Sequence, residues 1–246
     1  MNHQKRIRMK KIACTFVSLL ICGILSAQSP CENLPTVKDY NGNVYNTVQI
    51  GNQCWMKENM RTKSTATGKR LATQSSPQDG VMGIIAPDGN SDNVTEYGYL
   101  YDYNTAMQIC PKGWRLPSKA DFEELKSYAQ TYACDGNMFN INKALSSEDG
   151  WAFYSSQASN NNIRNSTGFS LKAAGIAHAT SASKDFGPYE FGKEAHLWAS
   201  DSKDDGTTTT FYYLSVFTDN WKVEVHEEET ATMILGCSVR CIRNNP

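Results

Sequence analysis

The chain has 246 residues, with 24 Lys+Arg against 25 Asp+Glu and eight cysteines. Once a basic leader is set aside, 19 Lys+Arg face 25 Asp+Glu, a net of −6. That balance argues against non-specific nucleic-acid binding, which needs clustered positive charge. The remaining length suits one large domain or one domain with long loops.

Residues 1–27 read as a secretory signal. Lys5, Arg6, Arg8, Lys10 and Lys11 form a basic segment, Ile12 to Leu25 is apolar, and Ser26-Ala27 supplies small residues before Gln28. The apolar run is too short for a stable membrane span, and no later segment reaches that length. Neither Cys22 nor Cys31 follows the small residue of a lipid-attachment site. The expectation is an exported chain, placed in the periplasm, on the outer surface or outside the cell, without a membrane span.

Cys14 and Cys22 leave with the leader, and Cys31, Cys54, Cys110, Cys134, Cys237 and Cys241 remain. An even number in an exported chain points to disulfides. A metal cluster is the rival, but there is no Cys-x-x-Cys and no His close to any of these cysteines.

Residues 36–58 predict a three-stranded β-meander, its turns at Asn41-Gly42 and Gly51-Asn52, each able to close a two-residue hairpin. In the middle strand Val44, Val48 and Ile50 share one face and Tyr45, Thr47 and Gln49 the other. Residues 61–97 lose periodicity. Within them Asp88, Asn90 and Asp92 alternate as calcium ligands do, yet Asn93 stands where a glycine is required and Tyr99 where a closing Glu should be. A solvated polar turn is the simpler reading, and "DSKDD" at 201–205 is equally unspecific. The core then runs from 97 to 246.

Asn104 is the expected cap of a short helix through Ile109. Ser118 and Asp121 have capping-box spacing, and Phe122, Leu125, Ala129 and Tyr132 form one face of a main helix over about 119–132. Residues 135–167 read as an ordered Asn- and Ser-rich loop. Strands are expected at 168–175, 195–200, 210–217, 221–226 and 236–243, with Phe217 and Trp221 flanking a three-residue turn. No internal repeat is present. The fold class is α+β: β-rich and irregular, with one main helix and long loops.

Signatures of hydrolase, zinc-protease, phosphate-loop and dinucleotide sites are missing. His178, His196 and His226 are far apart in sequence, and His196 lies in an apolar strand that suits a packed residue better than a base. The sequons at Asn93 and Asn165 read as accidental. Trp198, Tyr212, Tyr213 and Trp221 suit either sugar stacking or a core, and the core is the commoner use.

The segments "DYNGNVYNTVQIGNQCWMKENMRT", "YGYLYDYNTAM", "ICPKGWRLPSKADFEEL", "TGFSLKAAG", "HLWASD" and "GCSVRCIR", in this order, resemble the Fibrobacter succinogenes major paralogous domain family, common in exported proteins of the Bacteroidota and Fibrobacteres. Its middle helix and final strand look like those of C-type-lectin-like and formylglycine-generating-enzyme folds. The resemblance therefore implies a compact, irregular, C-type-lectin-like domain over residues 28–246.

Function carries over less well. Formylglycine-generating enzymes bind copper through a cysteine pair, for which Cys237 and Cys241, four apart, are the candidates here. In one regular strand, however, residues four apart sit about 13 Å from each other, too far for a mutual bridge. The expected pairings are Cys31–Cys54, Cys110–Cys241 and Cys134–Cys237, with the last two open to exchange of partners. The calcium signature of sugar-binding lectins is absent, and Asp219-Asn220 beside Trp221 matches only a fragment of their Trp-Asn-Asp element.

Together these observations lead to an exported, disulfide-stabilised, non-catalytic domain of the cell surface or periplasm, an adhesion-type module for glycan or protein. Speculative contacts are Trp198, Asp201, Asp219, Asn220 and Trp221; no cofactor is expected, with calcium at Asp88, Asn90 and Asp92 left open. The alternatives are a formylglycine-generating-like oxidase and a structural subunit of a surface assembly.

Overall fold

A computed structural model describes residues 29–72, 83–131, 138–152, 163–180, 186–217, 223–229 and 233–244. In chain order it holds β1 (Thr36–Lys38), β2 (Val44–Ile50), β3 (Gln53–Met56), β4 (Ile84–Ile85), α1 (Val94–Tyr97), β5 (Leu100–Tyr101), α2 (Tyr103–Ile109) and β6 (Trp114–Arg115). Then come α3 (Lys119–Gln130), α4 (Met138–Leu145), β7 (Ile176–Thr180), β8 (Phe186–Tyr189), β9 (Glu194–Asp204), β10 (Thr209–Phe217), β11 (Val223–Glu229), β12 (Met233–Ser238) and β13 (Ile242–Arg243). The result is a β-rich α+β fold.

Two sheets form. One has five strands in the order β1-β2-β3-β13-β6, so the last strand inserts beside the N-terminal meander. The other follows β11-β10-β9-β12-β5-β4, and the β7–β8 hairpin joins it through β12. The chain passes from the second sheet to the first at Val239–Cys241. Among the described residues no helix is long and apolar enough to cross a membrane.

The meander forms as expected, with one change. Ile50 pairs with Gln53 across a two-residue turn that begins at Gly51 (φ 56°). The first turn is longer. Asp39 N–H donates to Asn43 O, leaving Tyr40, Asn41 and Gly42 (φ 81°) as a three-residue turn that ends in a left-handed glycine. Val48 and Ile50 enter one core cluster and Tyr45 another, so β2 is buried on both faces, while Val44 is exposed.

Helix α3 begins as its sequence dictates. The Ser118 hydroxyl accepts Asp121 N–H, and the Asp121 carboxylate accepts Ser118 N–H at 2.6 Å. Phe122, Leu125 and Ala129 are buried against Trp55, Phe169 and Leu197. The Trp55 ring stacks on Phe122 at 5.8 Å and meets Phe169 edge-on at 5.3 Å. The helix stops at Gln130, with Thr131 closing it; Tyr132 lies outside the described residues.

Four expectations are corrected. Helix α4 occupies part of the stretch read as loop; Ile141, Ala144 and Leu145 are buried together with the polar Asn142 and Lys143, so no amphipathic pattern stands out. Residues 168–175 are not a strand. Their backbone instead clasps the end of α4, through Leu171 N–H to Leu145 O and Ser147 N–H to Leu171 O. Helix α2 is capped by Asp102, which accepts Thr105 N–H at 2.8 Å, and not by Asn104. Residues 236–243 are two strands in two sheets, so Cys237 and Cys241 do not share one regular strand. Within 61–97 the short elements β4 and α1 appear, together with 3-10 turns at Pro87–Gly89 and Ser91–Asn93.

Candidate binding surface

Cys31 is bonded to Cys54 and Cys110 to Cys241, with Cα–Cα distances of 5.6 and 5.8 Å. The second bond ties the end of α2 to the crossover between the sheets. It leaves no room for the exchanged pairing of Cys110 with Cys237, and it removes Cys241 from any thiol pair. Cys134 lies outside the described residues. Cys237 is buried on β12, opposite Tyr101 in register.

Of the speculative ligand contacts, Trp198 is core. It is 1% exposed, its indole N–H donates to Tyr101 O at 2.7 Å, and Tyr103 and Tyr213 meet it edge-on. That burial takes it out of any sugar-binding surface. Asp201 supports α3, its carboxylate accepting Lys119 N–H at 2.7 Å at the positive end of the helix dipole. Asp219, Asn220 and Trp221 lie outside the described residues.

The calcium candidates Asp88, Asn90 and Asp92 are exposed on the two 3-10 turns. There the Asn90 carboxamide oxygen accepts Asp92 N–H at 3.0 Å. Among the described residues no group of three His, Cys, Asp or Glu side chains is placed to hold a metal ion.

One polar cluster has the composition of a hydrolytic triad. His196 Nδ1 lies 2.8 Å from Ser215 Oγ, and its Nε2 lies 2.9 Å from Glu194 Oε2. However, Ser215 is completely buried and His196 is 4% exposed. A nucleophile must reach its substrate, so this cluster satisfies buried polar groups between β9 and β10. His178 stacks on Tyr189 at 4.2 Å.

Arg240, at the crossover, is a fully buried cation. Its guanidinium donates to Asn59 Oδ1 (2.8 and 3.1 Å), to Phe169 O and to Ser170 O (3.4 Å), and lies 4.5 Å over the Phe169 ring. Burial pushes its pKa down to about 9, against the pull of Glu58, so it remains cationic at neutral pH. Asn59 continues the network to Tyr97 O at 3.0 Å. Three sequence segments, around residues 59, 169 and 240, are thereby tied at one point.

The accessible feature built with most order is the surface formed by the first turn and residues 61–71. Below it, the buried Tyr45 phenol donates to Asp39 Oδ2 at 2.7 Å and accepts Arg61 N–H at 2.9 Å. Burial holds that phenol well above its ordinary pKa. Tyr101, likewise raised by burial, donates to Thr62 O at 3.0 Å.

From the side, Asn41 Oδ1 accepts the Thr62 hydroxyl at 2.7 Å and Lys63 N–H at 2.8 Å, while its Nδ2 donates to Ser64 Oγ at 3.1 Å. The loop then folds back on itself, with Thr65 N–H bonded to Lys69 O and Leu71 N–H to Lys63 O, both at 2.8 Å. Gly68 (φ 93°) is needed at its tip, because a Cβ there would meet the Tyr40 ring at 2.4 Å. Tyr40 thus lies against Gly68 and is still 62% exposed. Lys63, Lys69 and Arg70 are exposed on the same loop.

Sequence reasoning missed this surface and the Arg240 network. The available signals were the Asn41-Gly42 turn and the spaced cations of "RTKSTATGKR". What holds the loop is side-chain bonding to backbone, which leaves no periodic trace.

Neither a curated protein nor a solved structure matches the chain. The sequence profile of the Fibrobacter succinogenes major domain matches residues 48–243, which include the end of β2, all of β3 to β13, the Arg240 network and the loop at 61–71. The chain belongs to the Fibrobacter succinogenes major domain family.

Proposed function

We propose that the chain is an exported, disulfide-stabilised, non-catalytic domain, lectin-like in layout, that binds glycan or protein at the cell surface or in the periplasm. Its ligand meets the surface made by Asp39–Asn43 and residues 61–71. The observation that carries this reading is the order of that surface: the exposed Tyr40 ring on the first turn packs against Gly68 of a loop that bears exposed cations and is fixed by Tyr45, Tyr101 and Asn41. A loop held so firmly by a rigid scaffold suits recognition. By contrast, in the cluster with catalytic composition around His196, the hydroxyl of Ser215 is buried away from any substrate. The two disulfides support a compartment outside the cytoplasm.

The test is a glycan array and a cell-surface protein panel probed with the exported chain, with and without calcium. Signals that depend on the loop at 61–71 are expected, and uniformly flat signals on both panels would contradict the reading. Thiol titration addresses the oxidase alternative. With Cys241 bonded to Cys110, no copper-binding pair at Cys237 and Cys241 is expected to titrate in the metal-free protein.

A further inference from the structure

Charge is unevenly divided along this chain. Residues 29–72 carry six Lys+Arg and three Asp+Glu, a net of +3, whereas residues 73–246 carry 13 and 22, a net of −9. The positive excess therefore sits on the meander and the loop that packs against its first turn. Two of the three acidic groups there are engaged locally. Asp39 is buried and bonded to Tyr45 and Asn43, and Glu58 accepts both N–H groups of Asn46 at 2.8 Å. None of the ion pairs among the described residues involves Lys38, Lys63, Lys69 or Arg70, although all four are exposed.

We propose that this surface takes an acidic polysaccharide, a sugar chain bearing carboxylate or sulfate groups. The proposal rests on the reading of the same surface as the binding site and names its ligand class. Exposed cations without acidic partners attract a polyanion, and a negative remainder of the molecule repels it, so a long anionic chain is oriented onto this face. Tyr40 supplies what a charge patch alone lacks. Its ring is fixed against Gly68 and largely open to solvent, so it offers an apolar face to a pyranose without ordering a mobile side chain. A lipid surface would be served better by a cluster of exposed apolar side chains. Among the described residues the large exposed apolar side chains are Tyr40, Val44 and Met107, the last beside Gln108, whose carbonyl accepts Ala66 N–H of this loop.

The experiment is affinity electrophoresis of the full exported chain in gels containing polygalacturonate or, as the neutral comparison, hydroxyethylcellulose. Flotation with phosphatidylglycerol vesicles and a shift assay with single-stranded DNA form parallel arms. Retardation by polygalacturonate that falls as salt rises is expected, since exposed charges are screened. K63Q/K69Q/R70Q should weaken it roughly tenfold or more, because each exposed ion pair contributes up to about a fivefold factor. Tyr40→Ala should weaken it about two- to tenfold while leaving the salt dependence unchanged. Lys126→Gln, on helix α3, should leave it intact.

Every variant is checked by thermal melting, so a loss through unfolding is recognised, and Lys69→Glu serves as a second variant should the triple one not fold. Equal retardation of wild type and triple variant would overturn the proposal. So would binding to vesicles or DNA without binding to polygalacturonate. Loop-dependent retardation by the neutral polymer alone would overturn the acidic ligand class while leaving the surface as the binding site. Retardation that is indifferent to every loop substitution would remove both.

Discussion

The Arg240 crossover and the loop at 61–71 are both networks of side chains bonded to backbone, yet one is sealed and the other faces water. At the crossover, a fully buried guanidinium gathers Asn59, Phe169 and Ser170, and the Cys110–Cys241 bond lies one residue away. At the loop, Asn41 does similar bonding to the buried Thr62 and Ser64, but the Lys63 side chain between them is exposed. Burial makes the first network a matter of stability, because a lost partner leaves a desolvated polar group behind. Exposure spares the second that penalty, because water replaces whatever is removed, and this suits the binding role proposed for it.

The contrast is broken most forcefully at the disulfides. Cys110 and Cys241 are 131 residues apart, so replacing both by serine should cost about 5 kcal/mol on the chain-entropy account. The same change at Cys31 and Cys54, 23 residues apart, should cost about 3 kcal/mol. Denaturant titration of the two variants measures the difference, and the reverse order would show that loop length does not govern it.

Next in size is Arg240→Ala, which leaves Asn59 Oδ1 and the carbonyls of Phe169 and Ser170 without their shared donor. Removing one partner of a buried charged network costs about 3–5 kcal/mol. At this chain length each kcal/mol lowers Tm by about 2–4 °C, so a fall of roughly 10 °C should appear in a thermal scan. A fall of a degree or two would show that the crossover holds without its arginine.

A smaller effect is expected at the start of α3. Ser118→Ala should cost about 1 kcal/mol, read by chemical denaturation. The Asp121 carboxyl adds a pH signature. Burial would raise its pKa, but the Arg115 guanidinium and the Ser118 hydroxyl and N–H outweigh that and hold it below the ordinary carboxylate value. Its contribution is therefore complete above about pH 4, where the unfolded carboxyl ionises, and is lost as pH falls through the lower folded value. Asp121→Asn should flatten the acid limb of the stability curve, and an unchanged limb would remove this pair from the account.

The smallest stability change and the largest binding change should coincide at the loop. K63Q/K69Q/R70Q should shift stability by no more than about 0.5 kcal/mol, as surface substitutions do. Asn41→Ala falls between the two regions. It should cost about 1–2 kcal/mol and loosen residues 61–71, seen as faster amide exchange of Lys63 and Leu71.

What was legible in the sequence follows the same division. The second meander turn announced itself because Gly51-Asn52 permits a backbone few other pairs adopt. Helix α3 did so because Ser118, Asp121 and the Phe122–Leu125–Ala129 face act within one or two turns of chain. Helix α4 was hidden because it buries Asn142 and Lys143 beside its apolar residues, which erases an amphipathic pattern in a short segment. The Arg240 network joins residues up to 181 positions apart, and local pattern cannot report that. The loop at 61–71 looked featureless because its bonds run from the Asn41, Tyr45 and Tyr101 side chains. Trp198 shows the converse: a residue type suited to a sugar site is buried in the core.

The central claim is that recognition resides on the surface of Asp39–Asn43 and residues 61–71, apart from the scaffold that carries it. Amide hydrogen exchange of the full chain, with and without polygalacturonate, tests it most directly. The account predicts slowed exchange confined to those two segments, with β9, β10 and the Arg240 crossover unchanged. Slowing centred instead on residues 194–229, or none anywhere at saturating polysaccharide, would contradict it.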